Sequence, residues 1–181
     1  MSSIGTRQRT LLVLLLAFAL PVIFAYTALK LGWYQGGATN RGELLSDLSY
    51  QQLALTNPEP RRWQMAMLLP AQCAADCEAQ LTLLRQAHLA LGREQERVQP
   101  ILFVMPESDP GMLARLGEAP FLQAEINTQA RQAMGAYALV VIDPLGQWVM
   151  GYRSGEVGPP LTLGQDLLAD LRKLLKLSRI G

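Results

Sequence analysis

Cys73 and Cys77 are the only two cysteines in a chain of 181 residues. Three residues separate them. If a helix begins between them, both sulfurs point the same way, and their Cα atoms come within the disulfide range of about 4.4–6.8 Å. A helix N-terminus favours thiolate over thiol, which makes such a pair reactive. Two thiolates so placed also suit a soft ion, with Cu(I) the natural guest. Two blander readings stand beside these: a disulfide that staples the loop, or a pair of inert thiols. So short a closed loop gives little entropic stabilisation, and a staple ordinarily joins more distant segments. A zinc site is not indicated, because there is no second cysteine pair and only one histidine.

The remaining chemistry-bearing residues carry weaker signals. His88 lies on the same helical stripe as Cys77 but eleven residues on, about 16 Å away along a helix, and reads as a partly buried helix residue. Met65, Met67, Met105, Met112, Met134 and Met150 have thioethers, but most fall in core runs, where methionine fills gaps. Met112 and Met134 are the least committed to a strand. Trp63 and Trp148 read as packing residues. Asp109 and Asp143 have no evident carboxylate partner, so no acid–base pair stands out. No glycine-rich phosphate loop or nucleophilic serine arrangement is present.

The cysteines sit where a strand should hand over to a helix. Trp63 to Leu69 (WQMAMLL) is apolar and stops at Pro70, as a strand would. After it, Cys77, Leu81, Leu84, His88 and Leu91 recur at helical spacing, with Gly92 as a C-terminal stop and Asp76 and Glu78 in the first turns. Ile101 to Met105 (ILFVM) reads as an interior strand covered on both faces. Strand, helix and strand together suggest a βαβ unit. Residues 112–116 read as a turn or two of helix. Phe121 to Met134 reads as a helix on the spacing of residues 122, 126, 130 and 133, stopped by Gly135. Tyr137 to Ile142 and Trp148 to Tyr152 form a hairpin about the Asp143-Pro144-Leu145-Gly146 turn, and 155–160 reads as loop. Leu161 to Leu177 closes the chain as an amphipathic helix enriched in cations at its end by Arg172, Lys173, Lys176 and Arg179. A mixed α/β sheet with helices on both faces buries all these stripes.

Leu11 to Leu29 is an uncharged run about as long as a bilayer's hydrocarbon core is thick, with Pro21 inside it. Arg7 and Arg9 precede it, Lys30 ends it, and Trp33 and Tyr34 follow at interface depth. The alternative is a cleaved signal peptide with Ala17-Phe18-Ala19 as its site. Against that, the apolar run continues ten residues further, and an uncleaved anchor is expected. The expected organisation is a cytoplasmic tail over 1–10, a transmembrane helix over 11–30, a linker and lead-in over 31–60 that includes Gly36-Gly37, and a folded domain over 61–181.

The net charge of +1 hides a division. Once Arg7, Arg9 and Lys30 are set aside, the remainder is near −2, with all 15 acidic residues. No basic face is legible there at the density a nucleic-acid binder needs, so nucleic acid is not expected as a partner.

On several of these stretches the chain resembles the membrane-anchored, thioredoxin-like proteins of the Sco type, which help assemble the copper centres of cytochrome c oxidase, in a diverged bacterial branch. The stretches are the N-terminal anchor, Asn40-Arg41-Gly42-Glu43-Leu44, the strand Trp63 to Leu69, Cys73-Ala74-Ala75-Asp76-Cys77, Leu84 to Gly92, Ile101 to Met105, and the hairpin Tyr137 to Tyr152. The resemblance implies a thioredoxin-like mixed sheet flanked by helices, preceded by a single transmembrane helix. It implies that Cys73 and Cys77 bind copper or cycle between dithiol and disulfide. In that family a histidine before the third strand completes the copper site. Here Gln132-Ala133-Met134-Gly135-Ala136 occupies that region without one, which leaves Met134 as a candidate soft third ligand for Cu(I). Glu78 stands where the family has proline, and Asp109-Pro110 only shadows its Asp-Pro segment. No proline precedes Tyr137, so general oxidoreductase activity on many substrates is not expected.

The implied function is maturation of a respiratory oxidase by thiol–disulfide exchange or transient Cu(I) handling. The implied partners are an oxidase subunit or its copper-delivery proteins, together with the lipid bilayer. The implied setting is a bacterial inner membrane, with the N-terminus cytoplasmic and the domain periplasmic. The competing expectation is a noncatalytic, membrane-tethered scaffold whose cysteines are structural or dispensable.

Overall fold

A computed structural model describes residues 5–31, 40–117, 120–153, 160–178 and 180. Trp33, Tyr34, the Gly36-Gly37 pair, the 155–159 part of the expected loop and Arg179 lie outside the described residues. The chain divides into two compact units, Met1–Thr39 and Asn40–Gly181.

The first unit is one helix, α1 (Thr6–Lys30), with Pro21 inside it. It is long and apolar enough over Gln8–Ala28 to cross a membrane, and none of that stretch is buried in the protein. Its apolar side chains from Leu11 to Leu16, with Phe18, Leu20, Val22, Ile23 and Phe24, face outward, a surface that water does not favour and hydrocarbon does. The Lys30 ammonium lies 5.5 Å from the centre of the Tyr26 ring.

The second unit is a six-stranded mixed sheet in the order β1-β6-β5-β2-β3-β4. The strands are β1 (Glu43–Leu44), β2 (Trp63–Leu68), β3 (Val98–Val104), β4 (Leu122–Glu125), β5 (Tyr137–Ile142) and β6 (Trp148–Arg153), and the helices are α2 (Ala75–Ala90), α3 (Pro110–Leu116), α4 (Thr128–Met134) and α5 (Pro160–Leu177). β2 pairs parallel with β3 and antiparallel with β5, so it lies in the middle. That position explains its uncharged, mostly apolar sequence, since Met65, Ala66 and Met67 are at most 1% exposed. Its one polar side chain, the buried Gln64, is bonded to Tyr50, Asn57 and the Glu59 carbonyl.

Two apolar layers cover the sheet. On one face α2 and α5 supply Leu81, Leu84, Leu167 and Leu171 against Met65, Met67 and Tyr152. On the other, Tyr50, Leu53, Ala130 and Met134 cover Ile101, Phe103, Ile142 and Trp148. Phe103 stacks on Trp148 at 5.9 Å, with Tyr50 edge-on to both, an arrangement the ring quadrupoles favour. The compact unit begins at Asn40, so residues 40–60, expected as lead-in, belong to it. The Asp170 carboxylate accepts the Arg41 and Gly42 N–H groups and the Tyr152 hydroxyl, which ties this first segment to α5.

One element differs in kind from the sequence expectation. Phe121 to Met134 is not one helix: β4 extends the sheet by parallel pairing with β3, and α4 follows. Asn127 breaks the segment, because its side chain accepts the Ala130 N–H as a helix cap. The hairpin turn is as expected. Asp143 Oδ1 accepts the Leu145 and Gln147 N–H groups, and Gly146 supplies a φ of +89°.

Candidate functional site

Parallel pairing places the end of β2 beside the end of β3, and the loops that follow them meet. The loop after β2, from Leu69 to Ala74, carries Cys73. The helix it feeds, α2, carries Cys77 in its first turn. The two cysteines form a disulfide with Cα atoms 5.2 Å apart, inside the range their spacing suggested. Ala74, the residue flanking α2, offers no side-chain cap. No capping side chain therefore competes for the N–H groups of the first turn, which lie beside the disulfide.

The two sulfurs are not equivalent. Cys77 is 7% exposed and belongs to the apolar layer under α2, whereas Cys73 is half-buried at its rim. Of the two, Cys73 is the more open to an outside group.

The second loop, after β3, holds the first in place. Ser108, itself 5% exposed, donates its hydroxyl to the Leu69 carbonyl at 2.7 Å and accepts the Met105 N–H. The Asp109 N–H donates to the Pro70 carbonyl. The Asp109 carboxylate bridges two backbones, accepting the Cys73 N–H at 2.9 Å and the Met112 N–H at 3.0 Å. Those two bonds, led by the Cys73 N–H, hold the Asp109 carboxyl below the usual carboxylate range. Asp109 has no carboxylate partner among the described residues. Its partner is the cysteine loop, which the sequence reading missed. The available signal was Asp-Pro ahead of a short helical stretch, the pattern of a capping residue followed by proline in the first turn.

A cavity of about 330 Å³ opens beside the disulfide, lined by Pro70, Asp76, Cys77, Met134, Tyr137 and Ala138 among others. Met134, the candidate third ligand, is 1% exposed at the end of α4. It sits in the layer opposite Cys77 but reaches the same cavity from the other side. His88 lies far down α2, where Nε2 is 2.9 Å from the Val98 carbonyl and 3.2 Å from the Gln95 carbonyl. It is a satisfied helix residue with no part in this site. Among the described residues, no group of three or more histidine, cysteine, aspartate or glutamate side chains could hold a metal. Of the three candidate sulfur donors, Cys77 and Met134 line this cavity and Cys73 does not.

The model of a family described as "transmembrane-like, thioredoxin-like, C-terminal domain" matches residues 63–178. No curated protein matches the chain in sequence. Among solved structures, apo Sco1 from Thermus thermophilus is 20% identical, with a TM-score of 0.52 over 76% of this chain and 99% of that one. Peroxiredoxin Q from Xanthomonas campestris is 14% identical, with a TM-score of 0.50 over 73% of this chain and 99% of that one. Copper-bound Sco1 from yeast is 14% identical, with a TM-score of 0.47 over 66% of this chain and 81% of that one. At these identities the likeness establishes the thioredoxin-like fold. Function has to come from the site.

Proposed function

The chain belongs to the transmembrane-like, thioredoxin-like family, and from that premise we propose that it is a membrane-anchored assembly factor for a respiratory cytochrome oxidase, acting by thiol–disulfide exchange at Cys73 and Cys77. The observation that carries the chemistry is the disulfide at the start of α2, with Cys73 half-buried and Cys77 nearly buried but lining an open cavity. α1 is the anchor, with the N-terminus on the cytoplasmic side and the domain in the periplasm, an oxidising compartment that permits a disulfide.

In the reaction, the Cys73 thiolate attacks a disulfide of the target. One target sulfur leaves as thiolate, and Cys73 is joined to the other in a mixed disulfide. The Cys77 thiolate then attacks the Cys73 sulfur, expels the second target thiolate and restores the Cys73–Cys77 disulfide. The target gains two electrons, the pair loses two, and a dithiol reductant returns the pair to its starting state. Cys73 is the attacking residue because it is the more exposed one. Asp109 and Ser108 act by fixing the loop that presents it.

Copper enters this reading as cargo. The reduced pair offers two thiolates, with the Met134 thioether on the same cavity as Cys77, and no imidazole among the described residues near it. Such a set suits Cu(I) over Cu(II). The partners are an oxidase subunit or the proteins that deliver its copper. The resemblance to Sco-type proteins supports this reading, as does the likeness of the fold to Sco1 of Thermus thermophilus.

Two measurements test it. Equilibration of the full chain with thiol redox buffers should give a reversible potential in the range of exchange proteins, whereas a pair below about −300 mV is structural. A Cys73→Ser/Cys77→Ser double variant should lose oxidase maturation. Maturation that survives it would leave only a tethered scaffold.

A further inference from the structure

The charge of the folded unit is sorted between its two ends. At the start of β2 four segments converge. Arg62 donates to the Glu96 carbonyl, Arg97 to the Leu175 and Ser178 carbonyls, Arg172 to the Ala90 carbonyl, and the Trp63 indole N–H to the Ile180 carbonyl. These bonds bring the approach to β2, the 3-10 turn Gly92–Arg97 and the ends of α2 and α5 into one surface. The basic residues it carries are Arg61, Arg62, Arg93, Arg97, Arg172, Lys173 and Lys176. Against them stand Glu59 (paired with Arg62), Glu94 (paired with Arg97), Glu96, and Asp143 in the hairpin turn whose Pro144 carbonyl accepts the Arg61 N–H. Leu89, Leu177 and Ile180 stand among them, each more than half exposed. The opposite end, where the disulfide lies, carries Asp76, Glu78, Glu107 and Asp109, answered by Arg115 on Glu78 and Arg131 on Glu107.

We propose that the basic end is a lipid-facing surface that rests on the anionic headgroups of the leaflet on the domain's own side. The occupant follows from three observations. The chain carries its own span. Eight residues separate Leu31, the last described residue of the first unit, from Asn40, the first of the second. Extended, that stretch reaches about 30 Å, so the domain never leaves the neighbourhood of a bilayer. Basic side chains interleaved with exposed leucine and isoleucine match an interface of anionic headgroups over acyl chains. The acidic end is repelled by the same surface, which reinforces the orientation. β2 spans about 20 Å, so Cys73 is presented at about that height or more above the headgroups, towards the extramembrane part of a partner.

The test is hydrogen exchange of the full chain in nanodiscs of phosphatidylcholine alone and with about 30% phosphatidylglycerol. Amides 93–97 and 173–178 should exchange about fivefold more slowly in the anionic discs. The slowing should vanish at about 1 M salt, where the Debye length falls to about 3 Å. It should also vanish in an Arg93→Glu/Lys176→Glu variant. Both side chains are exposed, and unchanged exchange at 63–68 would verify the fold. An Arg93→Gln/Lys176→Gln variant should show an intermediate effect. Equal exchange in the two lipids overturns the proposal, as does slowing that survives charge reversal or falls on 72–77. Slowing that appears only with added polyglutamate would also overturn it, by assigning the surface to an acidic protein.

Discussion

Asp170→Ala should unfasten the first segment of the domain from its last helix. Asp170 is 2% exposed, and its Oδ2 accepts the Arg41 N–H at 2.9 Å, the Gly42 N–H at 2.9 Å and the Tyr152 hydroxyl at 3.1 Å. The Tyr152 hydroxyl has only the weak Met150 Sδ acceptor besides, at 3.2 Å, and Gly42 cannot move closer to the sheet. A Cβ there would already lie 2.6 Å from Met150 Cγ and 2.9 Å from Tyr152 Cε1. Two of the three bonds are buried, and a buried donor left without its partner costs about 1–2 kcal/mol. The loss should be about 3 kcal/mol, or about 10 °C in Tm for a domain of this size. Urea unfolding of the full chain in detergent, followed by tryptophan fluorescence, measures it. Hydrogen exchange should show residues 41–44 opening first, because β1 has only two residues paired to β6. Tyr152→Phe should cost less in the Asp170→Ala background than alone, by about 1 kcal/mol. A loss under about 1 kcal/mol, or strictly additive variants, would refute the account of Asp170 as the tie between these elements.

Three further outcomes follow from the site. After reduction, iodoacetamide should modify Cys73 well before Cys77, because Cys73 is the more exposed of the two. Peptide mass spectrometry reads the order, and equal rates would contradict the assigned roles. Met134→Leu keeps the buried volume and removes the thioether, so Cu(I) affinity of the reduced chain should fall about tenfold if sulfur completes the site. Unchanged affinity in an anaerobic titration removes Met134 from it. Asp109 is held below the usual carboxylate range by the Cys73 and Met112 N–H groups. Its contribution to stability should therefore be complete above about pH 4, where the unfolded carboxyl ionises, and lost as the pH falls through the lower folded value. In Asp109→Asn that acid-side loss should be smaller, as read from urea midpoints between about pH 5 and 2. Parallel curves for the two proteins would count against the carboxylate bridge.

Composition and local pattern were enough to determine several things. The N-terminal apolar helix is legible because nineteen uncharged residues run without a break, and α1 covers them. The central strands are legible because a strand buried on both faces is mostly apolar, as Trp63 to Leu68, apart from Gln64, and Ile101 to Val104 are. The helix after Cys73 is legible from its stripe and from Gly92, which takes a φ of +60° just past its end. The pairing of Cys73 with Cys77 was one of several open readings, and the local geometry permitted it.

Contacts distant in sequence decided the rest. Leu122, Ile126 and Ala130 have helical spacing, yet strand β4 forms because β3 offers a free edge beside it, and no local pattern records that. The partner of Asp109 lies 36 residues away. The basic end is invisible in the sequence because its charges come in small groups from three segments, diluted between acidic stretches. Only the sheet register and the packing of α5 along α2 bring like charges to one pole. The physical reason is the same in each case. Periodicity reports which face of an element is buried, whereas the identity of the neighbour on that face depends on how the chain returns.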